Sequence, residues 1–445
     1  MADKLLQAVY GSAADDVVFV RKFPPDAAHP APSYFGGLPR LPSELSWPYS
    51  RYIGQHISFL AQIDLGSLPN IHWRSRLPAE GTLFFFANTA FDRYEPSEDK
   101  WGHVLFVPYS CVGLEKCDAP DDVMPIHGGS TAFHVKWIMH GEDSPLVPRL
   151  FPYWPVDPLI VRTFANESPT RSSVNPQAGE LSDMRATEER RILTDIFGEP
   201  VSRRAIGKYY VSRDGGLSPF GPLPPPGYAL EPIVYGDPWL PDETWPYAWV
   251  FVEIFCTRLL DNSHRYLTHP EPLEEEARQW RGKAQAAGLF SPMSAQLRAE
   301  FRTWIRSIPL ADRSNPKGER LPPLYEYNWI TDSLIYGADA CLGYAHPGLR
   351  LLPDHLLRLI EGRHRAFTGD DQSFHFVRHQ VLGAPRAVQS AADEFGASHV
   401  LLAQFDYDPG CLWKWGDTGT LQFWIKPEYL KVCRFDQAIM TMEGG

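Results

Sequence analysis

Apolar residues along this chain gather in short runs separated by loops bearing proline and glycine, a spacing that predicts strands before helices. Residues 17–20 form the first run. Runs at 57–64, 81–88 and 103–108 follow, each of strand length and rich in Phe, Leu, Ile and Val. Residues 156–164 and 209–211 add two more candidates. In 59–64 the alternation sets Leu60, Gln62 and Asp64 on one face and Phe59, Ala61 and Ile63 on the other. A segment opening Gly-Asp-Pro-Trp at 236–247 leads into an apolar stretch at 249–255 that reads as another strand. Helical periodicity belongs to the middle of the chain. Ser182 can cap a helix over 182–195, and 271–287 carries acids early and bases late, as the helix dipole favours. Ser291-Pro292 opens a helix through 308, and 353–367 reads as another.

One strand pattern occurs twice. Phe59-Leu60-Ala61-Gln62-Ile63-Asp64, then Gly81-Thr82-Leu83-Phe84-Phe85, is matched by Leu401-Leu402-Ala403-Gln404-Phe405-Asp406, then Gly419-Thr420-Leu421-Gln422-Phe423. A Gly-x-Pro-Arg turn precedes each copy, at Gly37–Arg40 and Gly383–Arg386. Shared order and spacing predict a duplicated strand–loop–strand unit related by a pseudo-twofold axis. Residues 37–49 and 236–247 share a shorter echo ending in Trp-Pro-Tyr, which suggests a divergent further copy opening the second half.

Composition narrows the function classes. Proline is abundant, at 42 residues, which suits many short strands joined by shaped loops. A net charge of -12 with no Lys/Arg-rich run speaks against a nucleic-acid partner. No apolar segment approaches the roughly 20 residues that span a bilayer, so no membrane partner is expected. The six cysteines lack any C-x-x-C pair and, with no signal peptide evident, read as reduced thiols of a cytoplasmic protein.

Gly36–Pro42, the Phe59–Ile63 and Gly81–Phe85 strands, the Leu401–Asp406 strand and Trp415-Gly416-Asp417-Thr418-Gly419 together resemble the bacterial YwqG-like family, whose function is unknown. The resemblance covers about 30–165 and 375–440, and it brings no reaction with it. Association of some relatives with toxin–immunity loci implies a protein-binding role. The fold expected is α+β, predominantly antiparallel sheet with an internal duplication of a strand module and a helical insertion. Its parts are an N-terminal module over 1–165, an insertion or divergent second copy over 166–375, and a C-terminal module over 376–445.

Candidate chemistry centres on the repeated polar face. Gln62, Asp64, Gln404 and Asp406 converge in one cleft if the two copies face each other, and can then hydrogen-bond amides or hydroxyls or coordinate a hard cation through oxygen. Trp413 and Trp415 offer rings for stacking a sugar or base, with Asp417 to fix it. His375 and His379 have a zinc-like spacing but lack the glutamate of a metalloprotease motif. Asp406-Tyr407-Asp408 stops short of a calcium loop, so neither a metal nor a cofactor is expected. No serine-hydrolase elbow, phosphate-binding loop or dinucleotide fingerprint is present. The leading reading is a non-enzymatic binding protein for a protein partner or small polar ligand. The alternatives are a hydrolase using Asp64, Asp406 or Asp417 as acid or base, and a carbohydrate-binding module using Trp413 and Trp415.

Overall fold

Each apolar run predicted as a strand in the first 165 residues forms one. The computed structural model of the chain describes residues 13–25, 31–89, 101–126, 148–164, 210–212, 217–218, 228–229, 243–266, 270–308, 328–344, 351–354, 356–357, 379–383, 385, 391–413, 415–416 and 419–444. Its strands are β1 (Ala13–Arg21), β2 (Tyr34–Phe35), β3 (Tyr49–Ser50), β4 (Gln55–His56), β5 (Ser58–Asp64), β6 (Thr82–Ala87), β7 (Gly102–Val107) and β8 (Trp154–Phe164). They continue as β9 (Tyr210–Ser212), β10 (Leu217–Ser218), β11 (Tyr228–Ala229), β12 (Gln380–Val381), β13 (Val400–Asp406), β14 (Thr420–Ile425) and β15 (Ile439–Glu443). The helices are α1 (Trp249–Tyr266), α2 (Pro270–Ala287), α3 (Ala295–Ser307), α4 (Asn328–Tyr344), α5 (Ala391–Gly396) and α6 (Pro427–Lys431). Two compact units result, one from 1–135, 142–202 and 363–445, the other from 136–141 and 203–362.

The first unit is built on a 10-stranded sheet in the order β15-β14-β13-β12-β1-β8-β2-β5-β6-β7, with antiparallel pairing throughout. The order is palindromic: exchanging β2, β5, β6 and β7 for β12, β13, β14 and β15 reproduces it, with β1 and β8 as the central pair. Register repeats as well. Asp64 pairs with Thr82 and Asp406 with Thr420, and each hairpin carries a bulge at the same place, between Phe59 and Ala61 and between Leu401 and Ala403. The end strands nearly close the sheet, because Gly102 of β7 lies against Met440 and Phe423, and Phe106 packs on Phe435. Gly102 has no Cβ where those side chains sit, which permits the approach.

Inside this sheet the duplicated phenylalanines meet. Phe85 and Phe423, equivalent in the two repeats, stand 5.2 Å apart, and Phe85 and Phe405 stand 5.3 Å apart. Phe35 and Trp413 complete the packing, with both rings fully buried. On the other side of the first repeat, loops carrying Trp47, Ile57, Cys111 and Val123 cover Tyr34, Phe59, Phe84 and Phe86. Burying one such ring is worth about 2–3 kcal/mol.

The second unit holds α1 to α4 and the small β10-β9-β11 sheet. Trp245, Phe255, Trp280 and Phe301 pack together there. Residues 249–255, expected as a strand, are the start of helix α1. A continuous apolar run has no period to read, and here it is buried on nearly every side of an 18-residue helix, with Val250, Phe251, Ile254 and Phe255 all at zero exposure. The stretch therefore does not repeat the strand module. Helix α2 matches its expected span, whereas α3 is capped by Ser294, which accepts from the Leu297 amide at 3.3 Å, rather than by Ser291. The helix expected over 182–195 lies outside the described residues, as do 358–367 of the helix expected over 353–367.

Candidate functional site

The alternation read in the sequence holds from Ala61 to Asp64, but the bulge after Phe59 moves that ring to the face of Gln62, where Phe59 pairs with Phe86 and Gln62 with Phe84. The two polar faces still turn away from the faces that meet. Ala61 and Phe85 are paired on one face of β5 and β6, and Ala403 and Phe423 likewise on β13 and β14. Those are the faces that pack through Phe85 and Phe423. Gln62 and Gln404 stand on the opposite faces of their strands, so the Gln/Asp couples do not share a cleft. Each is buried; Gln62 bonds Tyr34 in the first repeat, and Gln404 bonds Asp406 in the second.

Equivalent glutamines have different partners. In the second repeat the Gln404 amide nitrogen donates to Asp406 at 3.1 Å, and its oxygen accepts from Gln422 at 3.0 Å. In the first, Gln62 Oε1 takes the Tyr34 hydroxyl at 2.8 Å and the Arg40 amide at 3.0 Å, while Nε2 has no partner. Gln62 itself is fully buried, so an unused donor there is costly unless something accepts from it. Around it stand Tyr34 and Tyr153, with ring centroids 5.0 Å apart, and Lys116, whose Nζ lies 4.1 Å from the Tyr153 centroid and 5.8 Å from that of Tyr34. Burial, and then the Arg40 charge, holds the Lys116 ammonium below the usual lysine range. Burial likewise pushes the Tyr34 phenol up, so it remains a donor at any ordinary pH. The backbone brings these groups together through the Gly36-Gly37 turn, whose φ values of 58° and 66° suit glycine.

The two aspartates act at strand ends. Asp64 accepts the Ser67 amide at 3.0 Å and the Ser110 hydroxyl, capping the 3-10 turn over Leu65–Ser67. Its own amide donates to Ser33 Oγ at 3.0 Å. The repeat places His379 where Ser33 stands, and the Asp406 amide donates to His379 Nδ1 at 3.3 Å. Trp413 and Trp415 are both at zero exposure, 6.0 Å apart and tilted by 30°, so they offer no ring to a sugar and the carbohydrate-stacking expectation fails. They belong to the packing around Phe151. Asp417 lies outside the described residues, as does His375.

Sequence reasoning missed one cluster. Asp408 is buried with Arg21 Nη2 and the Gly410 amide on Oδ1, each at 2.9 Å, and His379 Nε2 at 3.0 Å and the Cys411 thiol at 3.4 Å on Oδ2. The residues come from distant parts of the chain with no shared motif, and only Asp408 and His379 had drawn notice, each in another connection. The Arg21 guanidinium is held between the Gly410 backbone and the Trp154 ring, 4.8 Å from its centroid. Although burial alone would raise the Asp408 pKa, the Arg21 charge and the His379 bond hold it well below the usual carboxylate range.

The donor atoms of His379, Asp408 and Cys411 lie within 4.8 Å of one another, as a metal site requires. Their protons argue instead for neutral donors gathered around the Arg21–Asp408 ion pair. Because Nδ1 accepts the Asp406 amide, the His379 proton sits on Nε2, the atom that faces Asp408. A metal-binding imidazole needs that position bare. Burial and the Asp408 charge push the Cys411 thiol far up, which favours the protonated thiol that donates to Asp408.

Residues 33–140 and 352–443 match the family model described as a domain of unknown function, DUF1963, so the match falls in two separate stretches of the chain. Both copies of the strand pattern fall within them, in agreement with the YwqG-like resemblance. No curated protein matches the chain. No helix among the described residues is long and apolar enough to cross a membrane.

Proposed function

We propose that this protein is a binding protein rather than an enzyme, and that a small polar ligand, or a polar group presented by a protein partner, is held at Gln62. The observation that carries this reading is the unused Nε2 of a fully buried Gln62, whose counterpart Gln404 is paired on both sides. Binding proteins keep such donors for their ligands, because an apolar competitor would leave them unsatisfied. Lys116 is exposed, Tyr153 beneath it is partly exposed, and the buried Tyr34 bonds Gln62 directly. Asp64 and Asp406 receive neutral donors at strand ends, which supports a structural role for both over acid or base work. Free cysteines at all six positions, four of them buried, support a reducing, cytoplasmic location.

A thermal-shift panel of amino-acid derivatives, nucleotides, sugars and carboxylates tests the reading, run on the wild type and on Gln62→Met. A ligand of the native state raises the melting temperature by mass action. The expected result is at least one compound that shifts the wild type and leaves Gln62→Met unmoved. No shift by any compound, or shifts that Gln62→Met shares in full, would remove Gln62 from a binding role.

A further inference from the structure

The geometry points to an oxyanion, a carboxylate or phosphate group, as the chemical class the Gln62 site takes, with Arg40 and Lys116 as its cationic walls. This rests on the binding reading above and narrows it. Arg40 and Lys116 are brought together by the backbone: Arg40 reaches the Leu114 carbonyl, two residues before Lys116, and the Cys117 amide bonds the Pro39 carbonyl at 2.9 Å, next to Arg40. Neither has a carboxylate partner among the described residues, and the flanking acids Glu115 and Asp118 pair with neither. Two like charges side by side repel, and partial burial of Lys116 adds to the cost.

What holds Lys116 is aromatic: its Nζ lies over the Tyr153 ring at 4.1 Å. Arg40 spends one arm on the Leu114 carbonyl, and its Nε is buried with no partner. Gln62 Nε2 is also buried with no partner, and its Oε1 accepts the Arg40 backbone amide at 3.0 Å. The unused groups are therefore a guanidinium N–H, an ammonium and an amide N–H. All are donors, and two belong to cations. A ligand that only accepts, and that carries negative charge, satisfies the whole set. A neutral hydroxyl or amide would leave the paired positive charges uncompensated. Arginine and lysine together with a neutral amide fit the three oxygens of a phosphate or the two of a carboxylate equally well.

The second repeat shows the same position already filled from within. There Asp406 supplies the carboxylate oxygen that the Gln404 amide nitrogen contacts. In the first repeat Asp64 has turned to Ser67 and Ser110, so the oxyanion must come from outside.

The test is a titration of the full chain with inorganic phosphate and, separately, with succinate, read by melting temperature against chloride at matched ionic strength. Wild type, Arg40→Gln, Lys116→Gln and Gln62→Glu are compared. The expected result is a saturable rise in the wild type, a midpoint roughly tenfold weaker in Arg40→Gln and Lys116→Gln, and none in Gln62→Glu, where a carboxylate already occupies the site. The stronger of the two titrants identifies whether phosphate or carboxylate is the source. A response of equal midpoint in all four proteins would place the anion elsewhere and overturn the inference. A wild type silent to both anions overturns it too. If a neutral compound of the earlier panel still shifts the wild type through Gln62, the binding reading survives that failure. If none does, both fall.

Discussion

A buried aspartate such as Asp408 is tolerated only because every one of its oxygens is met, by Arg21 and Gly410 on one side and by His379 and Cys411 on the other. Removing its charge should therefore cost far more than the pair contributes. Asp408→Asn takes from the buried Arg21 the carboxylate charge that faces it at 2.9 Å, and a loss of about 3–5 kcal/mol in denaturant unfolding is expected. The sign with pH follows from the depressed pKa of Asp408. Its contribution is complete above the ordinary unfolded carboxylate value near 4 and is lost as pH falls from there through the lower folded value. The gap between wild type and Asp408→Asn should hold constant from neutrality to about pH 4.5 and close only below it. A gap that closes between about pH 7 and 5 would mean another group is responsible. None of this was legible in the sequence, since Arg21, His379 and Asp408 are joined only by folding.

Elements show where local chemistry is obeyed and where it is overridden. Helix α6 ends in a Schellman turn, with the Cys433 amide on Leu430 O at 3.2 Å and the Arg434 amide on Tyr429 O at 2.9 Å. Glycine normally holds the left-handed position of this turn, yet Cys433 sits there at φ 56°. Cys433 is partly exposed, so little packing is lost on its removal. Cys433→Gly should raise stability by about 0.5–1 kcal/mol, seen as a higher denaturant midpoint at unchanged slope. A lower midpoint would show that the thiol packs more than its exposure suggests. The turn after β12 presents the same conflict in the core. Leu382 takes φ 56° where the first repeat has Gly36 at 58°, and its amide bonds Leu402 O as Gly36 bonds Leu60 O. Burial of Leu382 offsets the strain. The strand modules were legible because their motifs recur with matching register. Helix α1 was not, because an apolar run lacks a period that distinguishes helix from strand.

At the scale of the whole molecule, duplication explains both the sheet and the site. The palindromic strand order and the matched bulges make one module twice, and the phenylalanine faces join the copies. Freed from that joint, the outer faces have diverged. In the second copy Gln404, Asp406 and Gln422 bond one another, and in the first Gln62 stands among Tyr34, Arg40 and Lys116 with a donor to spare. The sequence nominated Gln62 and Gln404 together because strings recur visibly, whereas Lys116 sits in a loop with no repeat and Arg40 reads as part of a turn. The claim that equivalent glutamines now do opposite work is tested most directly by placing the same charge at both. Unfolding free energies of Gln62→Glu and Gln404→Glu, measured side by side at neutral pH, should differ sharply. The carboxylate introduced by Gln62→Glu keeps the acceptor that the Tyr34 hydroxyl and the Arg40 amide use, and on the oxyanion reading Arg40 and Lys116 compensate its charge, so stability within about 1 kcal/mol of wild type is expected. The change Gln404→Glu sets a second buried carboxylate against Asp406, and a loss of at least about 2 kcal/mol follows. Equal losses in the two variants would mean that no positive site surrounds Gln62, and would contradict the account.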